Sequence, residues 1–320
     1  MFKTIEETIE LINTGKLLHI SGNGQLLKKL PKGNWIAGST EYFMLEGGGA
    51  VRNDVLDVDC LDFDEYSFKT YGTETLDKIA GDAYDNGFSI LILPFDSGVH
   101  IQYAQNAANY ENIFTKNIVG WISGFNLESQ GESAIAVNGK TGENFTDKAV
   151  ALHIGLPADK IANINIINIF EADEKSPVIT FGKDGFSAET CYIDGKERNL
   201  AEYIAENNID TKLPLVGDYS GAGINVSFKN IANGKVDFYA PVFKGINYGL
   251  AKNITDYAAA FEAEIKKISP AETGFTCNCI LNFLYGELTG KDFGGFYGPI
   301  TFGEIAWQLV NQTLVYLNID

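Results

Sequence analysis

Two stretches decide how this chain reads: "IVGWISG" at Ile118–Gly124 and "LVGDYSG" at Leu215–Gly221. Gly120 to Gly124 and Gly217 to Gly221 share one spacing, with Ser123 and Ser220 at matching places. Each is followed by an Asn-Gly-Lys (Asn138–Lys140 and Asn233–Lys235), an apolar run ("AVALHI", "VDFYAPVF") and a glycine, Gly155 or Gly245. Physically this is a strand ending in a glycine turn, then a hairpin whose Asn-Gly supplies positive φ. The same order twice predicts duplicated halves. "WIAGST" at 35–40 is a third strand-to-glycine turn carrying a serine. The polar "EADEKSPV" at 171–178, with Pro177, marks the boundary, giving regions 1–175 and 176–320.

Outward from the repeat, helices and strands alternate. Helices are expected at 3–14, 22–30, 74–86, 99–111, 197–207 and 253–268. In the first, Ile5, Ile9 and Ile12 share a face and Gly15 follows its end. The last is alanine-rich, with lysines in its final turn. Strands are expected at 17–20, 34–37, 88–93, 133–138, 148–154, 164–170, 235–243, 275–283 and 312–319. The fold class is therefore mixed α+β or α/β: two related halves with large mixed sheets flanked by helices.

Composition narrows the function. The 320 residues carry a net charge of −18, and Arg52 and Arg198 are the only arginines. Such a surface repels phosphate backbones and anionic lipid, so neither nucleic acid nor membrane is expected as a partner. No apolar run reaches the roughly 18 residues of a membrane span. The N-terminus lacks a basic region before an apolar one, so a cytoplasmic protein is expected. Four cysteines do not make a disulfide framework. His19, His100 and His153 lack ligand spacing, so neither metal nor cofactor is expected.

Three motifs invite chemistry. In "WIAGSTEYF" (35–43), glycine-turn N–H groups with the Ser39 and Thr40 hydroxyls suit an anion, or serve as an ordinary turn or cap. It is not a P-loop, because no Gly-Lys-Ser/Thr follows. "TCNCIL" (276–281) puts Cys277 and Cys279 on one face of a strand. Either is a nucleophile only with a base nearby; the plain alternative is a small buried apolar residue. "FDSGVH" (95–100) offers Asp96, Ser97 and His100, but Gly-x-Ser-x-Gly is absent and a helix N-cap explains it more simply.

"WIAGSTEYF", "IVGWISG…NGKTGENFTDKAVALHIG", "TCNCIL" and "GGFYGPITFGEIAWQLVNQT" together resemble the FIST (F-box and intracellular signal transduction) proteins, as a divergent branch. Gly38-Ser39-Thr40-Glu41, Val119-Gly120, Asn138-Gly139, Thr276-Cys277, Gly295-Phe296, Gly303-Glu304-Ile305 and Asn311-Gln312-Thr313 carry the likeness. The family's cysteine before Ser39 is missing, and a neutral residue near Leu281 replaces its arginine. The resemblance implies a non-catalytic small-ligand sensor, for an amino acid or related metabolite, signalling through a protein partner or a homo-oligomer. The implied site is a cleft between the halves lined by Gly38, Ser39, Thr40, Cys277, Asn278, Gly295, Tyr297 and Glu304, with Glu304 at its mouth holding a ligand amine. An enzyme using Cys277 or Glu304, and a structural or assembly module, are the alternatives; bracing of a turn is the alternative for Glu304 alone.

Overall fold

The structure, a computed structural model, describes residues 1–268, 273–292 and 294–320. It is an α+β fold of several mixed sheets with flanking helices. The chain divides into two compact units. One comprises Met1–Ile167, Ile265–Leu309 and Thr313–Asp320; the other comprises Asn168–Glu264 and Val310–Gln312. The division at 175/176 is thus corrected. The chain leaves the first unit near the expected place but returns to it, because Leu314–Ile319 pairs antiparallel with both Ala162–Ile167 and Thr273–Cys279. The C-terminal segment completes a sheet begun before the second unit.

In the first unit, three six-stranded sheets hold the core. One runs in the order Phe2–Lys3, Leu56–Leu61, Leu17–Gly22, Trp35–Ser39, Ala136–Asn138 and Glu143–Phe145. Its outer face, from Leu18, Ile20, Trp35 and Val58, packs on Ile12 of helix Ile5–Asn13 and Leu27 of helix Gly24–Leu27. The first helix starts on a capping box. Thr4 accepts from the Glu7 N–H while Glu7 accepts from the Thr4 N–H.

The second sheet centres on Gly87–Pro94 and Asn117–Ser123, which run parallel. The crossover between them contains helix Gly98–Asn106, whose N-cap Ser97 accepts from the His100 N–H, as the capping reading of "FDSGVH" requires. Both strands are almost wholly buried, which explains their continuous apolar sequence. The third sheet contains Ala162–Ile167, Leu314–Ile319, Thr273–Cys279, Gly298–Thr301, Tyr42–Leu45 and Gly48–Val51 in that order.

The three sheets meet at Trp121. Its indole N–H donates to His19 Nε2 at 3.0 Å, and the His19 ring packs on Phe275. With Nε2 accepting, the proton sits on Nδ1 and donates to Asp59 at 3.0 Å. A second buried histidine, His153, bridges Ser89 and Tyr71, and burial pushes its pKa down to about 4.

The second unit has a six-stranded sheet and a three-stranded one around Phe181, Phe228, Phe238 and Tyr248. Helix Leu200–Glu206 adds Leu200 and Ile204 to that core.

The expected equivalence of the two glycine stretches does not hold. Gly120 lies inside a strand with a parallel neighbour, whereas Gly217 lies in Leu215–Tyr219, which hairpins through Ser220-Gly221 onto Ala222–Val226. The Asn-Gly pairs do both lie at hairpin turns, but only Asn233 and Gly234 have positive φ, at 54° and 74°. Gly139 is glycine for another reason: a Cβ there would sit 2.1 Å from the Trp35 ring. The apolar run after Cys279 also departs from expectation. Ile280–Tyr285, placed in a strand over 275–283, is a helix.

Gly120 is the most constrained of these positions. Its φ is +155°, and a Cβ would lie 1.9 Å from the Leu91 carbonyl oxygen. Gly120→Ala should destabilise the protein by more than about 3 kcal/mol in urea unfolding. Gly15→Ala, with φ +81° but open space around it, should cost only about 1–2 kcal/mol. Equal losses would show that the backbone contact at Leu91 is not limiting.

Candidate functional site

The residues expected to share one cleft are spread over three environments of the first unit. Ser39 and Thr40 reach a cavity. Cys277, Asn278 and Glu304 form part of a sealed polar cluster. Gly295 and Tyr297 belong to a surface loop, where the Tyr297 hydroxyl donates to Asp292. Gly38 lets the Trp121 and Ile92 side chains approach the strand, where a Cβ would be 2.5 Å from the indole.

Glu304 is therefore not at the mouth of a cleft. It opens strand Glu304–Ala306, which pairs with Asn117–Ser123 and faces Trp121 in register, so its side chain enters the core and is fully buried. Thr313 Oγ1 and Thr301 Oγ1 donate to its two oxygens at 2.8 and 3.0 Å, and the Thr313 N–H approaches at 3.4 Å. Burial pushes the carboxyl up to about 8, against the opposing hydrogen bonds from Thr313, Thr301 and the Cys279 thiol. When Glu304 is protonated it can donate to Thr301 Oγ1, which in turn donates to the Asn278 carbonyl at 3.2 Å. This is the bracing role.

Cys277 is no better placed for chemistry. Its thiol donates to the Gly120 carbonyl at 3.5 Å, and burial, reinforced by Glu304, pushes its pKa well up. A nucleophilic thiol needs the opposite shift. All four cysteines are free. Among the described residues, no three His, Cys, Asp or Glu side chains group to hold a metal ion.

The cavity is about 260 Å3 and is lined wholly by residues of the first unit. Its frame is Ser39, the last residue of its strand. The Ser39 N–H donates to the Ile135 carbonyl at 3.0 Å, and its carbonyl accepts from Gly124 N–H at 2.7 Å. Its hydroxyl donates to the Gly124 carbonyl at 2.7 Å and accepts from Ile135 N–H at 2.9 Å. One residue thus pins both ends of the 124–135 excursion. Thr40 does the same for the next strand, donating to the Ile300 carbonyl at 2.7 Å and accepting from Tyr42 N–H at 3.2 Å.

Within this frame sits Glu41, only 4% exposed. Asn23, the N-cap of helix Gly24–Leu27, donates its amide to Glu41 Oε1, and Asn126 donates to Oε2 at 2.9 Å. Asn126 is fixed by its own turn, its Oδ1 accepting from Glu128 N–H at 3.0 Å. The Tyr42 hydroxyl accepts from Leu127 N–H, again at 3.0 Å. A buried carboxylate held by two neutral amides, with Lys28 and Glu132 exposed at the rim, forms a preorganised acceptor for a polar ligand.

A family profile matches residues 3–320, the profile of a family of unknown function, DUF6976. The chain belongs to that family. No curated protein and no solved structure matches this member of DUF6976. The functional reading therefore rests on the site itself.

The sequence pointed to Ser39 and Thr40 but passed over Glu41, although it stands next to them in "WIAGSTEYF". Asn126 carried no local signal, since it meets Glu41 across 85 residues of chain.

The buried acid at 304 makes a pH prediction. Its native pKa, about 8, lies above the ordinary value of 4.5. Its contribution to stability is full below about 4.5 and is lost as pH rises through 8, at no more than about 1.4 kcal/mol per pH unit. Asp57, raised to about 6 chiefly by burial, acts in the same direction and is unchanged in a Glu304→Gln protein. Urea unfolding at pH 5 and pH 8.5 should show a stability loss larger by a few kcal/mol in the wild type than in Glu304→Gln. Parallel losses would mean that Glu304 titrates normally.

Proposed function

We propose that the protein is a non-catalytic sensor that binds a small polar metabolite, an amino acid or a related compound, in the Glu41 cavity. It passes the signal on through a protein partner or its own oligomer. The observation that carries this reading is the buried Glu41 carboxylate, held at the base of a cavity by Asn23 and Asn126. A surface charge with no ligand would not need two fixed amides to orient it. The resemblance of "WIAGSTEYF" to the FIST turn supports the same segment. We place the protein in the cytoplasm, as its free thiols suit a reducing compartment. No helix among the described residues is long and apolar enough to cross a membrane.

The reading of Cys277 or Glu304 as catalytic has less to support it. Both are sealed from solvent, and the thiol is held protonated. General acid–base work also needs reach to a substrate atom, which a fully buried Glu304 lacks.

A metabolite library screened by thermal shift tests the proposal. A ligand bound only to the folded state at about 100 times its Kd stabilises by about 2.7 kcal/mol. Hits should stabilise the wild type and Cys277→Ser equally, and Glu41→Gln at least roughly tenfold more weakly in affinity. Turnover of a hit that disappears in Cys277→Ser would replace the sensor by an enzyme.

A further inference from the structure

The hydrogen-bonding capacity left over in the cavity selects the chemistry of its ligand. The floor is made by Ser39, Thr40, Glu41 and Asn23, with Asn126 behind the carboxylate. The neutral side chains among these make most of their hydrogen bonds within the protein. Each hydroxyl already donates to a carbonyl, Ser39 to Gly124 and Thr40 to Ile300, and accepts from a backbone N–H. Asn23 spends its amide on Glu41 and its oxygen on the Gln25 and Leu26 N–H groups. Asn126 spends its amide on Glu41 and its oxygen on Glu128 N–H and the Tyr42 hydroxyl. The two hydroxyls have no donor left, and each asparagine keeps one amide N–H.

Glu41 is different. An ionised carboxylate offers about four acceptor sites and no donor. The two amides fill one site on each oxygen, so each oxygen keeps capacity. A buried anion whose partners are all neutral is costly unless a positive charge completes it. A ligand carboxylate or phosphate placed against Glu41 would meet a like charge. A ligand with a positively charged N–H group would meet an acceptor already aimed by two fixed amides.

We infer that the cavity recognises a small organic ammonium ion, with the ligand nitrogen donating to the Glu41 carboxylate. This rests on the proposed reading of the cavity as the ligand site. The rim adds a second preference. Lys28 is the cationic residue of the lining and is exposed at the opening, where Glu132 is exposed as well. Lys28 suits an anionic group at the other end of the ligand, so an amine that also carries a carboxylate is the preferred class. The size agrees, because about 260 Å3 is below the roughly 300–1,000 Å3 of sites for drug-sized molecules.

The test varies the ligand more than the protein. The probes are a set of small α-amino acids and amino alcohols, each with its N-acetyl counterpart and its des-amino analogue. Binding is read at pH 7 by calorimetry and by backbone amide NMR shifts. Free amines should bind and shift the amides of Glu41, Asn126 and Leu127. N-acetyl and des-amino partners should bind at least tenfold more weakly. Glu41→Gln should lose at least tenfold for the amines. Lys28→Met should weaken the amino acids several-fold and leave the amino alcohols unchanged. N-acetyl or des-amino compounds that shift the same amides as strongly as the amines would overturn the ammonium assignment while keeping the cavity as a ligand site. If no probe shifts those amides at millimolar concentration, the cavity reading falls together with the inference.

Discussion

The candidate site depends on the four hydrogen bonds that Ser39 makes with its three polar groups. Backbone and hydroxyl together make a closed set of hydrogen bonds to Gly124 and Ile135, in a residue 3% exposed. Gly124 follows the central strand of one sheet, and Ile135 leads into an edge pair of another. The excursion between them is therefore not free to choose its anchor points, whatever its tip does. An unmade buried hydrogen bond costs on the order of 1–3 kcal/mol. Releasing this residue would leave several at once. The cavity wall is held from one strand end, and Asn126 meets Glu41 because the loop base is fixed.

Two buried carboxylates in the same unit show how environment divides roles. Glu304 is fully buried, which pushes it toward the neutral acid against its bonds from hydroxyls and a thiol. Glu41 takes its bonds from two amides and lies beside open space. The first suits bracing, because a protonated carboxyl can both donate and accept within the core. The second suits recognition, because both of its oriented oxygens keep acceptor capacity. Both side chains are buried; the open space beside Glu41 separates them.

Much of this was legible in the chain, and the failures have physical causes. Periodic apolar faces and caps gave helix Ile5–Asn13, and the run "FSILIL" gave the buried strand Gly87–Pro94. The Ser39-Thr40 turn was found from its glycine and hydroxyls. Ile280–Tyr285 was misread because a continuous apolar run has no period to tell a helix from a strand; its buried Asn282, bonded to Asn278 and the Thr313 carbonyl, belongs to the helical geometry. The return of the C-terminal strand to Ala162–Ile167 is a pairing across the whole second unit, invisible to any local pattern. The likeness of Gly120 and Gly217 was a likeness of turn chemistry, not of strand pairing. Glu304 drew attention through its isolation in an apolar segment, yet that isolation reflected a core position.

The central claim is that Glu41 is the ligand-facing group of the first unit. A crystal structure of the protein grown with a bound small amino acid tests it most directly. The account predicts ligand density in the cavity, with its nitrogen within about 3.2 Å of a Glu41 oxygen and the Ser39, Asn23 and Asn126 bonds unchanged. Ligand bound elsewhere, with Glu41 contacting only water and its two amides, would contradict it.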